Sequence, residues 1–409
     1  MTWHRYLAVG AFSISACAAP LESFSASEGH GALAGTLSIT VVEEGSGVRL
    51  QGAIVRVYAA DGAFIGEGTT RGDGTLEVMS AALTGTLSVD VSSGTTAQRI
   101  EGLRSAEVVL ALPAAAASSP RVRGTVTGLP TASEASTQVG VGLRVTLLRT
   151  QSLAGVAPST CVPTEAGSCT FEVALARGTS FPSVATVSDA SGAIAFVFGQ
   201  ISESSATLNE PLPPTDLSLR LPSDNAGLVG VIGVPGLALH GQLILLPQAQ
   251  SSAAMLRVPS VSEHPTLFGA TYWVLVEGHP MLGSELDMGA RSVLFQRGLG
   301  PTASAAWDAW LDIPSPLVVG NRVSFEAISG AHVYAVDFID SEGALLGSTW
   351  VLEGAGSIEV TRPERIEEAR VSRIRVRAID TVLAPTGEGF DSNAIELGAQ
   401  RFSERDWLR

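Results

Sequence analysis

The cysteines are the residues whose spacing points most directly to chemistry. Thr160-Cys161-Val162 and Cys169-Thr170-Phe171 read as strand ends on either side of a turn from Pro163 to Gly167. In an oxidising compartment two thiols so close together pair as a disulfide. Closing so short a loop is worth roughly 2–3 kcal/mol in the chain-entropy picture. A zinc site or a redox pair is the alternative, but zinc needs two further Cys or His ligands, and the sequence offers neither C-x-x-C nor a nearby His. Cys17, the third cysteine, stands alone near the start. The six histidines (His4, His30, His240, His264, His279, His332) include no pair at metal-ligand helical spacing, and H-E-x-x-H and G-x-S-x-G are both absent. All 25 basic residues are arginine, which excludes Schiff-base, P-loop and kinase-type lysine chemistry. Trp307 and Trp310 could stack on sugar rings, as exposed aromatics do in carbohydrate-binding modules. The competing reading is that they, with Trp273 and Trp350, fill cores. Asp73, Asp189 and Asp340 sit in turns, where Asp ordinarily bonds the backbone. These residues predict no catalytic site, no metal and no cofactor.

The elements that would hold such side chains are strands. Gly (44) and Pro (21) interrupt the chain too often for long helices. Hydrophobic residues at 45% suffice for real cores, and the 16% charged fraction leaves solubility to Ser, Thr and Gly. A net charge of −15 argues against nucleic acid, which needs a basic surface, and against electrostatic docking on anionic lipid.

The N-terminus reads as a signal peptide over 1–16: Arg5 precedes an apolar stretch from Tyr6 to Ile14, too short to span a bilayer. Ile14-Ser15-Ala16-Cys17 resembles the bacterial lipobox. That resemblance implies cleavage before Cys17 and acylation of its thiol and new amino group, with palmitate-type chains anchoring the protein to a membrane. Ala18, in place of the Asp that signals inner-membrane retention in that family, implies the outer membrane. An ordinary cleaved signal with an incidental Cys is the alternative. Residues 17–33 form the lipidated cysteine and a flexible Ser/Ala/Glu/Gly tether without apolar periodicity.

From 34 to 113 short runs alternate apolar and polar residues: Leu37, Ile39, Val41; Leu76, Val78; Leu87, Val89, Val91. Period two means one face buried and one wet, and Asp61-Gly62 and Asp73-Gly74 between runs are hairpin signals. Gly35-Thr36-Leu37, Gly52-Ala53-Ile54-Val55-Arg56-Val57 and Thr69-Thr70-Arg71-Gly72-Asp73-Gly74-Thr75-Leu76 resemble the carboxypeptidase regulatory-like (transthyretin-related) domain, an accessory sandwich. Arg71-Gly72-Asp73 reads as part of the hairpin, not as an adhesion motif. After a small-residue linker from Ala114 to Ser119 the pattern restarts over 120–222 as a second, divergent sandwich, closed by Leu217, Leu219 and Leu221 and carrying the two cysteines in an insertion.

Residues 223–409 form a C-terminal β-rich region. Between 314 and 383, Ser329-Gly330-Ala331 before Tyr334-x-Val336, then Trp350, then a Pro-led strand after Thr361 resemble a fibronectin type III-like sandwich. Ile374, Val376 and Ala378 alternate with Arg373, Arg375 and Arg377, as a solvated or edge strand would. Phe402, Trp407 and Leu408 suggest that the tail wraps over a neighbouring domain. The chain thus reads as all-β: tandem antiparallel β-sandwiches behind a lipoprotein signal peptide and tether. The expected function is a non-enzymatic cell-envelope lipoprotein with a structural or interaction role. Its expected partners are the membrane, through Cys17, and an envelope protein or polysaccharide. Binding of polysaccharide or peptidoglycan through Trp307 and Trp310 is the second reading, and an enzyme the third.

Overall fold

The computed structural model describes residues 35–43, 48–112, 121–130, 136–143, 159–165, 167–174, 180–189, 192–202, 206–224, 227–239, 242–246, 250–251, 254–261, 264–352, 354–381, 390–391 and 399–408. Cys17, the signal-peptide segment, the tether and the linker at 114–119 lie outside them. Regular structure among the described residues is strand, apart from short 3-10 turns at Pro265–Leu267 and Glu368–Arg370. The strands form four units.

The first unit holds β1 (Thr36–Glu43), β2 (Ile54–Ala59), β3 (Phe64–Thr69), β4 (Thr75–Met79), β5 (Leu87–Ser93), β6 (Thr96–Leu103) and β7 (Glu107–Leu112). Sheet β7-β1-β4 faces sheet β3-β2-β5-β6, and the alternating Leu37, Ile39, Val41, Val55, Val57 and Val89 fill the space between. The β1–β7 pair is parallel, a departure from the all-antiparallel expectation. Asp73 caps its turn as Asp normally does, its carboxylate accepting from the Thr75 backbone N–H (3.0 Å) and hydroxyl (2.7 Å). Gly74 follows at φ 72°, where a Cβ would meet Arg49 at 2.7 Å.

The second unit holds β8 (Arg121–Thr127), β9 (Ser136–Leu143), β10 (Ser159–Thr160), β11 (Val162–Glu165), β12 (Ser168–Ala174), β13 (Phe181–Asp189), β14 (Gly192–Ile201) and β15 (Ala206–Leu212). Its strands run β10-β9-β13-β14-β15-β8-β12-β11 and roll into a barrel instead of the expected two-sheet sandwich. The Ser159 hydroxyl closes the seam, donating to the Glu172 carbonyl (2.6 Å) and accepting from its N–H (3.2 Å). Val126, Val139, Phe171, Ala185, Val197 and Leu208 fill the interior.

The third unit holds β16 (Pro214–Arg220), β17 (Leu228–Leu239), β18 (Gln242–Leu245), β19 (Gln250–Ser251), β20 (Met255–Pro259), β21 (Thr271–Leu282), β22 (Glu285–Leu286), β23 (Ala290–Leu299) and β24 (Ser304–Ala306). Here the boundary at 222 shifts. β16, expected to close the second unit, pairs with β20 and β24, and Leu217 and Leu219 pack with Leu237, Leu256 and Val258. Alternation shows which face of a strand is buried but not which sheet it faces. Sheet β20-β16-β24 covers sheet β18-β17-β21-β23, so a separate sandwich begins at β16, before residue 223.

The fourth unit holds β25 (Leu317–Val319), β26 (Arg322–Glu326), β27 (Val333–Ile339), β28 (Leu345–Val351), β29 (Ser357–Thr361), β30 (Arg373–Thr381) and β32 (Ala399–Leu408), while β31 (Phe390–Asp391) leaves to pair with β7. Sheet β25-β26-β29 faces sheet β28-β27-β30-β32 around Phe325, Tyr334, Val336, Phe338, Val360 and Val376. This is a three-on-four sandwich, completed by the C-terminal strand.

The units join edge to edge. Residues 97–101 of β6 lie parallel to 347–351 of β28, and 290–294 of β23 lie antiparallel to 401–405 of β32. Leu243 and Ile244 of β18 pair with Leu143 and Gly142 of β9. One hydrogen-bonded sheet therefore runs through all four units, in the order first, fourth, third, second. Its central strands are buried on both faces. Tyr334 and Val336 face the fourth core, while Val333 and Ala335 join Trp350, Trp273 and Phe295 in the apolar cluster that continues from the first unit.

Candidate functional site

The seam between the third and fourth units is built from charge. β30, read as solvated or edge because of its arginines, lies between β27 and β32, with Arg377 0% and Arg375 4% exposed. That expectation is corrected: the arginine face is buried because carboxylates on neighbouring strands meet it. Arg377 pairs with Asp337 of β27 at 2.8 Å. Arg375 reaches Asp406 of β32 through two bonds of 2.6 and 3.0 Å and lies 3.6 Å from Glu404. Glu404 accepts from Arg291 of β23 at 2.7 Å, and Arg291 also donates to Glu277 of β21 at 2.7 Å. His279 ends the ladder, 2.5 Å from the other Glu277 oxygen. Four strands are thereby bolted together from β21 to β30, and Asp337 extends the ladder to β27.

The protonation states follow from these partners. Burial raises the Glu277 carboxyl, but the His279 hydrogen bond and the Arg291 charge outweigh it and hold the group below its ordinary value. The Glu277 hydrogen bond raises the His279 imidazole. Burial disfavours the charged Arg291 and Arg375, yet Glu404 and Glu277 around the first, and Asp406 and Glu404 around the second, raise both. Such a ladder adds little over an apolar seam, but removing one member leaves an uncompensated buried charge. It is largely buried and ties neighbouring strands together.

The other candidate residues fall as follows. Cys161 and Cys169 form a disulfide with Cα atoms 5.4 Å apart, and both side chains lie in the barrel interior. Trp310 is 7% exposed within the third core, and Trp307 is half-buried against the same core with its indole N–H 3.5 Å from the Phe295 carbonyl. The two do not make an exposed stacking platform. Trp273 and Trp350 are fully buried; the Trp273 indole N–H donates to the Leu237 carbonyl at 3.1 Å, and the Arg377 guanidinium lies over the Trp350 ring. Among the described residues no group of three or more His, Cys, Asp or Glu could hold a metal ion.

One arrangement has the outline of a nucleophile, base and acid. The Thr266 hydroxyl lies 2.6 Å from His264 Nδ1, and His264 Nε2 lies 3.2 Å from Glu210. The hydroxyl is also 3.5 Å from that carboxylate, and the threonine sits in the 3-10 turn at the surface. Neither the crevice beside Glu364 nor the one beside Trp407 borders these residues. Sequence reasoning missed both this cluster and the ladder. The alternation of Glu404 and Asp406 with Ser403, Arg405 and Trp407 was the available signal for the ladder.

The chain matches no known protein-family profile and no curated protein. Among solved structures it is similar to the shaft pilin spaA of Lactobacillus rhamnosus GG (11% identity over 43% of this chain and 97% of the pilin, TM-score 0.16). It is also similar to BcpA, the major pilin subunit of Bacillus cereus (9% identity, 81% and 95%, TM-score 0.15). A third is the alpha-2-macroglobulin of E. coli, of which this chain spans 27% (11% identity, 88% of this chain, TM-score 0.14). Overlaps this slight carry no argument about activity; the all-β architecture stands on the strands themselves.

Proposed function

We propose that this chain is a non-enzymatic structural or interaction component of the bacterial cell envelope, held to the outer membrane by lipid on Cys17. The observation that supports it is the edge-to-edge fusion of four β units into one sheet, which suits a stiff body that spaces or presents a surface. The lipobox-like Ile14-Ser15-Ala16-Cys17 and the tether to residue 33 supply the anchor, and the first unit serves as a carboxypeptidase regulatory-like accessory module. The polysaccharide reading rested on Trp307 and Trp310 as an exposed pair, and with Trp310 in the core no observation favours it.

Metabolic labelling with an alkyne fatty acid, followed by membrane fractionation, tests the anchor. The wild-type chain should carry label and sediment with outer membrane, and Cys17→Ser should lose both. An unlabelled wild type with an uncut N-terminus in mass spectrometry would overturn it.

A further inference from the structure

In the fourth unit the alternation that fills the core ends on a charge. Ile358 and Val360 of β29 face the core, and period two carries Arg362, just past the strand, to the same side. Arg362 lines a crevice of about 220 Å³ at the open end of the sandwich. Phe338, Val371 and Ile374 are its buried apolar walls, and Val318 and Trp407 are half-exposed beside them. Trp407 stands opposite Ile374 in register, which puts its indole on the core side. Asn321, whose carbonyl accepts the Arg362 backbone N–H at 3.1 Å, borders the opening.

The Arg362 side chain is 15% exposed, and its one ionic partner among the described residues is Glu368 at 3.7 Å, beyond hydrogen-bonding distance. Its guanidinium has five donors in a planar fork that fits a carboxylate, and the residue lines the crevice. Apolar side chains beside a few polar groups, here Arg362 and Asn321, are the usual construction of a small-molecule site. The crevice lies below the roughly 300–1,000 Å³ of drug-sized pockets, which limits the ligand to on the order of ten non-hydrogen atoms.

We propose that this crevice binds a small amphipathic carboxylate, its apolar body against Trp407, Phe338 and Ile374 and its carboxylate on Arg362. The site is independent of the envelope reading and adds a ligand to it.

Saturation-transfer NMR and calorimetry on the full chain test the site with 3-phenylpropionate, its neutral analogue 3-phenylpropanol, and N-acetylglucosamine. The acid should bind at least tenfold more tightly than the alcohol, and Arg362→Gln should remove that preference. Val318→Trp, which fills the crevice, should abolish binding without lowering the melting temperature. Equal binding of acid and alcohol, preference for the sugar, binding that survives Val318→Trp, or no binding at millimolar concentration would each overturn the proposal. If Arg362→Gln does not fold, the acid–alcohol comparison and Val318→Trp still decide it.

Discussion

The second and fourth units solve the same problem by different means. Among the described residues the second shares strand pairing with its neighbour at two residue pairs of β9 and β18, although Val184, Phe196, Phe198 and Leu212 pack into the third unit's core; it rolls its own sheet shut at Ser159 and Glu172 and carries the Cys161–Cys169 disulfide. The fourth has no cysteine and no closure of its own; both edges of its larger sheet are occupied, β28 by β6 and β32 by β23. An open strand edge is a row of unsatisfied donors and acceptors that must be covered. The difference teaches that a covalent staple appears where a unit shares little backbone pairing with its neighbour, and neighbouring strands replace it where they are available.

Mutations can break or sharpen that contrast. The largest effect is expected from Gly347→Val at the β28 edge, where a Cβ would lie 1.8 Å from the Ala97 carbonyl oxygen, so the two strands cannot stay paired. Limited proteolysis should then separate the first unit from the rest; an unchanged fragment pattern would mean the seam is dispensable. At the other edge, Glu404→Ala leaves Arg291 and Arg375 without their shared carboxylate and should cost about 3–5 kcal/mol in urea unfolding. A loss below about 1 kcal/mol would show that backbone pairing alone holds the seam.

Reduction of the disulfide should cost less, about 2–3 kcal/mol. Its effect should be confined to the second unit, with hydrogen-exchange protection falling in β9 and β12 and holding in β27 and β30. Equal loss in both places would dissolve the distinction between them. The smallest effect concerns Asp90, on β5 beside the β6 edge. Burial pushes its carboxyl up to about 6, against the opposing pull of Arg99. The folded state then binds this proton more tightly than the unfolded chain, whose Asp titrates near 3.9. Stability should therefore fall by up to about 2 kcal/mol as pH rises from about 4 to about 6, and remain at the lower value above that. Asp90→Asn should flatten this slope; an unaltered profile would show that another group is responsible.

Much of the fold was legible in the chain because strand alternation is local. Leu37, Ile39 and Val41 face inward as their spacing requires, and Cys161 and Cys169 met because a short turn separates them. What was not legible is pairing at a distance. Arg375 and Arg377 read as solvated because no carboxylate shares their face of the strand, Asp380 lying on the other; Asp337, Glu404 and Asp406 reach them only after β27 and β32 take their places. The leucines of β16 have the same pattern whichever sheet they cover. Trp307 and Trp310 share a spacing that fits an exposed pair or a core, and only packing distinguishes the two.

The order in which the sheet is assembled has a kinetic consequence. β6, at residues 96–103, waits for β28 at 345–351, and β23 waits for β32 across about a hundred residues. Contacts so remote in sequence slow the search for the native pairing, and until they form, the open edges are the part of the molecule most prone to aggregate. Refolding from denaturant should be slow and sensitive to concentration, with the second unit regaining its structure ahead of the other three.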